Sequence, residues 1–176
     1  TPITQGRWET VMERNPSKFK GDRDRPVENV SWEEAQKFIE RLNEKEGGRV
    51  FALPTEAQWE YACRAGTKTR FYTGDSEADL DRAGWYSNNS GSQTHPVGQK
   101  EPNGFGLYDM HGNVWEWCQD WYGDYPTGSV IDPKGPSSSA ARVFRGGSFL
   151  NGAAYCRSAY RLRRRPDYRY DSLGFR

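Results

Sequence analysis

The sequence predicts an α+β domain: two well-marked helices, several short strands and a large share of irregular chain. Two helices announce their own starts with capping boxes, Ser31 with Glu34 and Thr55 with Gln58. The 19 Gly and 10 Pro punctuate the chain too often for long regular elements. Hydrophobic residues reach only 34%, yet aromatics make 14%, so the core must be built from a few large rings, each burying ~150–250 Å². A length of 176 residues suits one domain, and residues 1–176 read as a single unit.

Thr4–Glu13 carries Trp8, Val11 and Met12 at helical spacing and stops at Asn15-Pro16-Ser17, where proline cannot continue a helix. Residues 20–29 are charged and read as an exposed loop. Behind Ser31, the residues Trp32, Ala35, Phe38, Ile39 and Leu42 mark one helix face, which ends near Gly47-Gly48. Arg49–Leu53 reads as a short strand. A helix from Thr55 carries Trp59 and Tyr61 and ends near Gly66. From 67 to 141 no long helical period appears. Within it Val114–Trp121 alternates as a strand, and Pro133–Ala140 is a small-residue loop. Arg142–Phe144 reads as a strand, 149–172 as structured loop, and Leu173–Arg176 as a final strand.

Composition excludes several functions. The net charge of +1 argues against general nucleic-acid binding, although residues 156–176 alone hold seven Arg against two Asp. No stretch approaches the ~20 apolar residues of a membrane-spanning helix, so membrane insertion is not expected. Three Cys (Cys63, Cys118, Cys156) cannot make a disulfide framework, and none has CxxC spacing. Two His exclude a three-His metal site. Localisation stays open between the cytoplasm and surface display.

Six motifs then occur in order. They are Asn15-Pro16-Ser17; Pro26-Val27 with Val30-Ser31-Trp32 and Ala35; Leu53-Pro54-Thr55-Glu56-Ala57-Gln58-Trp59-Glu60-Tyr61-Ala62; Asn103-Gly104-Phe105-Gly106-Leu107-Tyr108-Asp109-Met110 with Gly112-Asn113-Val114-Trp115-Glu116-Trp117; Arg145-Gly146-Gly147-Ser148; and Gly174-Phe175-Arg176. Together they resemble the formylglycine-generating-enzyme-like (sulfatase-modifying factor) domain along nearly the whole chain. The resemblance implies a C-type-lectin-like fold with short, twisted antiparallel strands. It also implies a further N-terminal strand before Thr1–Thr4, which this sequence is expected to lack as a fragment or mature product.

In the oxidases of that family, two Cys five residues apart after Gly-Gly-Ser bind copper. Here the second matches Cys156, but the first matches Asn151. One thiolate lacks the two-sulfur ligation that selects Cu(I), so no copper is expected. A branch without the catalytic pair, the variable proteins of diversity-generating retroelements, displays a hypervariable surface near the C-terminus. Its mutagenesis acts mostly on Asn codons ending in a pyrimidine, which cannot become Lys, Glu, Gln, Met or Trp. Residues 149–172 contain none of these five, which make roughly a fifth of ordinary composition. The resulting ligand-binding candidates are Phe149, Leu150, Asn151, Gly152, Tyr155, Tyr160, Leu162, Arg164, Arg165, Tyr168, Tyr170, Asp171 and Ser172. Tyr and Arg suit such a surface, since they offer large contact area and hydrogen bonding. Phe149 is the weakest member, because the family usually keeps an aromatic there for its core. The implied ligand is a protein or cell-surface molecule. A divergent oxidase acting through Cys156 and an accessory domain of a larger signalling protein are the alternatives.

The resemblance also implies one structural calcium, held by the Asp109 side chain, the Gly112 and Val114 carbonyls and the Glu116 carboxylate. The competing reading is a structural turn in which Glu116 pairs with an Arg.

Overall fold

A computed structural model describes residues 1–48 and 50–176 of the chain. A four-stranded sheet lies at its centre, with helices on both faces. Helix α1 is Gln5–Met12, α2 is Trp32–Lys45 and α3 is Glu56–Arg64. Thr4 caps α1 by accepting from Arg7 N–H. Both expected capping boxes form, Ser31/Glu34 on α2 and Thr55/Gln58 on α3.

A fourth helix, α4 at Glu77–Ala83, stands where no helical period is legible. It spans seven residues, too few to display a period, and its box uses Asp79 rather than Glu or Gln to answer Ser76. The strand expected at Arg49–Leu53 does not form in its described part, 50–53, and Arg49 lies outside the described residues. The side-chain amide of Asn43 takes the place of a ladder there. Its Oδ1 accepts from the Val50 and Phe51 N–H groups at 2.8 Å each, and its Nδ2 donates to the Phe51 carbonyl.

Strands β1 (Gly84–Trp85) and β2 (His111–Gly112) make a two-residue parallel bridge. The main sheet contains β3 (Trp115–Trp121), β4 (Arg142–Arg145), β5 (Arg161–Arg164) and β6 (Leu173–Gly174), in the order β5-β4-β3-β6. Pairs β3–β4 and β4–β5 are antiparallel, as expected, but β3–β6 is parallel. Strand β5 falls inside the stretch read as loop. Its Arg-rich sequence masks the alternation.

Strand alternation sorts side chains to two faces. Trp115, Trp117 and Phe144 join Trp8, Phe38 and Phe175 on the α1/α2 face. There Trp8 stacks on Phe38 at 5.3 Å, and Phe175 meets both edge-on. Cys118 and Val143 join Trp59 and Cys63 on the α3 face. Arg145, wholly buried on that face, pairs with Glu60 and with Glu56 (3.4 Å), and it donates to the Ala159 and Ser158 carbonyls. No described helix is long and apolar enough to cross a membrane.

Candidate functional site

The turn after β4 sets the start of the candidate region. Gly147 has φ +77°, and a Cβ there would lie 2.5 Å from Cys156 Sγ, so only glycine lets this turn pack on the cysteine. The next residues belong to the frame. Phe149 is 1% exposed and meets Phe19 edge-on at 5.1 Å. Asn151 Oδ1 accepts from Trp115 Nε1 at 2.8 Å and from Ser148 Oγ at 2.6 Å. Ser172 is buried, and its carbonyl accepts from Trp115 N–H at 2.8 Å. These three of the thirteen candidates are therefore structural, not free surface.

The other ten reach the surface. Leu150, Gly152, Tyr155, Arg164, Arg165 and Tyr170 are exposed. Tyr160, Leu162 and Tyr168 are half-buried and lean on the α1/α2 core. Asp171 is half-buried and accepts from Lys18 Nζ at 2.5 Å. On β5, Leu162 and Arg164 pair with Phe144 and Arg142 and follow them to the α1/α2 face. Tyr155 meets Tyr160 at 4.9 Å, and Tyr160 lies 6.1 Å from Trp115. Further along, the Arg164 guanidinium covers Tyr168 at 5.4 Å, and Tyr168 stacks with Tyr170 at 6.2 Å. Two residues absent from the sequence-derived set belong to this surface network. Arg157 covers Tyr160 at 5.7 Å, and Trp115 ties Asn151 to the sheet. Arg157 sits among residues typical of the family frame, and Trp115 reads only as an inward strand residue, so neither carries a signal for this role.

Cys156 is fully buried, and burial pushes its thiol up to about 12. At neutral pH it is a thiol, not the thiolate that ligates metal or attacks. Its carbonyl meets His111 Nδ1 at 2.7 Å, while Tyr72 N–H donates to His111 Nε2 at 3.1 Å. That pair of contacts places the imidazole proton on Nδ1. Cys63 and Cys118 are buried and free as well.

The expected calcium ligands lie in the loop from Asp109 to Glu116. Arg176 grips both Glu116 oxygens at 2.6 and 2.7 Å, and Trp59 Nε1 donates to the same carboxylate at 2.6 Å. Arg176 Nη2 also takes the Tyr108 and Asp109 carbonyls at 3.1 and 3.2 Å. The guanidinium thus engages one of the four expected ligands, the Glu116 carboxylate. Asp109 Oδ2 accepts from Gly98 N–H at 2.7 Å, Oδ1 is buried without a partner, and burial raises the carboxyl. Gly112 is committed to the β1–β2 bridge. Among the described residues no three His, Cys, Asp or Glu converge as metal ligands. Glu116 is therefore closed by an ion pair with Arg176, the contact that the competing structural-turn reading calls for.

The profile of the sulfatase-modifying factor enzyme 1-like domain matches residues 2–176. The chain belongs to this family. A formylglycine-generating enzyme from Streptomyces coelicolor is 38% identical over 179 residues, covering 91% of this chain and 54% of that protein. The serine/threonine-protein kinase pkn1 of Chlamydia pneumoniae is 37% identical over 155 residues, covering 86% of this chain and 23% of the kinase. Among solved structures, Treponema denticola variable protein 1 superposes with a TM-score of 0.93 at 37% identity, over 99% of this chain and 80% of that one. The chain spans about half the length of the formylglycine-generating enzyme it matches, and less than a quarter of the kinase. One sulfatase-modifying-factor-like frame thus recurs in proteins with very different names, so the residues of the site must decide its role.

Proposed function

We propose that this chain is a non-catalytic binding protein that presents residues 150–171 as a variable, ligand-contacting surface on a family scaffold, in the manner of diversity-generating retroelement variable proteins. The observation that carries this reading is Asn151. The position of the first copper-binding cysteine holds an amide locked between Trp115 and Ser148, and the remaining Cys156 is a buried thiol. The likeness to Treponema denticola variable protein 1 and the Tyr- and Arg-rich exposed residues support the same reading. Rigid tyrosines held by neighbouring rings and guanidinium groups give contact area at low entropic cost. The ligand is a protein or cell-surface molecule.

The decisive test is on the source DNA. The expected result is a second, near-identical copy of the segment encoding 149–172, differing only at adenines, beside a reverse transcriptase gene. Its absence from a complete genome overturns the diversified surface. The family's enzymes favour a second reading, oxidation of a peptide cysteine through Cys156. Incubating the purified chain with copper, oxygen and a cysteine-containing peptide decides that point. Mass spectrometry is expected to find no formylglycine, and conversion abolished by Cys156→Ser would reverse the assignment.

A further inference from the structure

On the α3 face, away from Leu162 and Arg164, a cavity of about 530 Å³ opens between α3, the end of β3 and the loop that follows. Its volume is within the range of small-molecule sites. Tyr61, Tyr125, Pro133 and Pro136 supply apolar walls. The loop is pressed tightly onto β3: a Cβ at Gly135, where φ is +69°, would lie 2.8 Å from the Trp121 carbonyl. Its side facing the sheet is a fixed ionic array. Arg161 holds Glu56 with bonds of 2.8 and 2.6 Å, and the Tyr125 hydroxyl donates to the same carboxylate at 3.1 Å.

We propose that this cavity is a second binding site, for a small organic cation with an apolar body, of the class of a basic amino-acid side chain. An anion finds no free receptor there. Arg161, the one guanidinium lining the cavity, is consumed by Glu56, and the Glu56 N–H donates to Asp120 Oδ2 at 2.7 Å. Two lining carboxylates, Asp120 and Asp124, have no basic partner within salt-bridge distance among the described residues. Asp120 is only 5% exposed, and its second oxygen faces Gly135 on the cavity wall. Burial and the adjacent Glu56 raise its carboxyl, and a bound cation offsets both effects.

The test is an NMR titration of the whole chain with N-acetyl-arginine amide, using the neutral N-acetyl-citrulline amide as control. The expected result is saturable shifts at the Gly123 and Gly135 amides with the cation alone. Asp124→Asn, at an exposed site that leaves the fold intact, is expected to weaken binding about threefold to fivefold, the size of a partly exposed ion pair. Absence of saturation, equal shifts from the citrulline control, or unchanged affinity in Asp124→Asn each overturns the proposal. None of these outcomes bears on the 150–171 surface.

Discussion

Arg145 on β4 and Arg164 on β5 lie in one sheet, yet their surroundings are opposite. Arg145 is fully buried, shares two carboxylates and donates to two carbonyls. Arg164 is exposed, donates only to the neighbouring Arg163 carbonyl and covers Tyr168. Arg161 and Arg176 follow the first pattern, each held by a carboxylate from another part of the chain. Arg157 follows the second. The difference teaches how one arginine-rich segment serves both frame and surface. Long-range ion pairs fasten some arginines to the sheet and leave their neighbours at the surface.

The largest expected effect breaks this comparison most cleanly. Arg145→Met takes from Glu56 and Glu60 one of the two guanidinium groups that hold each, leaves the buried Ala159 and Ser158 carbonyls without it, and should cost about 3–5 kcal/mol. At about 2–4 °C per kcal/mol for a domain of this size, calorimetry should show a melting temperature lower by about 10 °C. Arg164→Met should stay within about 0.5 kcal/mol. Similar losses for both would mean that β5 is as much frame as β4. The same melts in millimolar calcium or in chelator should coincide, since Arg176 already neutralises Glu116; a calcium-dependent rise would restore the ion to the 109–116 loop.

A second difference lies between two buried titratable groups. Burial lowers His111 from its usual 6.5 to about 4. The unfolded chain then binds the extra proton between those values, so this contribution is whole above about pH 6.5 and is lost as pH falls toward 4. Glu28 runs the other way. Burial raises it from 4.5 to about 7, with Oε1 accepting from Phe19 N–H and Oε2 unpartnered. Its folded form holds the proton, so its contribution is present at low pH and is lost as pH rises through 7. Glu28→Gln should therefore raise stability by about 1 kcal/mol at about pH 8, change little at about pH 5, and leave the His111 slope exposed. Denaturant midpoints across that range check it. A variant no more stable than the parent at the higher pH would mean that the Glu28 charge is solvated.

Much of this frame was legible before any coordinates. The capping boxes of α2 and α3 and the aromatic core residues follow from local spacing and chemistry, while the inward role of Phe149 follows from the family resemblance alone. What stayed hidden depends on distant partners. Helix α4 is too short to show a period. Strand β5 exists because Leu162 lands opposite Phe144, a pairing no local pattern encodes. The partner of Glu116 is Arg176, 60 positions further on, a pairing that no local pattern names. The composition of 149–172 marks a region but cannot sort its members, since composition carries no information on burial.

That sorting is the finest test of where frame ends and surface begins. Asn151 and Tyr170 both belong to the compositional set, yet only Asn151 is a hydrogen-bond hub. Asn151→Leu would leave the Trp115 indole N–H and the Ser148 hydroxyl without their acceptor, at a cost of about 1–3 kcal/mol. Tyr170, 49% exposed and stacked only on Tyr168, should become Ser for less than about 0.5 kcal/mol. Chemical denaturation of the two variants side by side decides the boundary. If Asn151→Leu proves as mild as Tyr170→Ser, position 151 is not frame, and the proposed binding surface extends inward to it. If the gap holds, Asn151 belongs to the frame, and the proposed surface is confined to the ten surface positions.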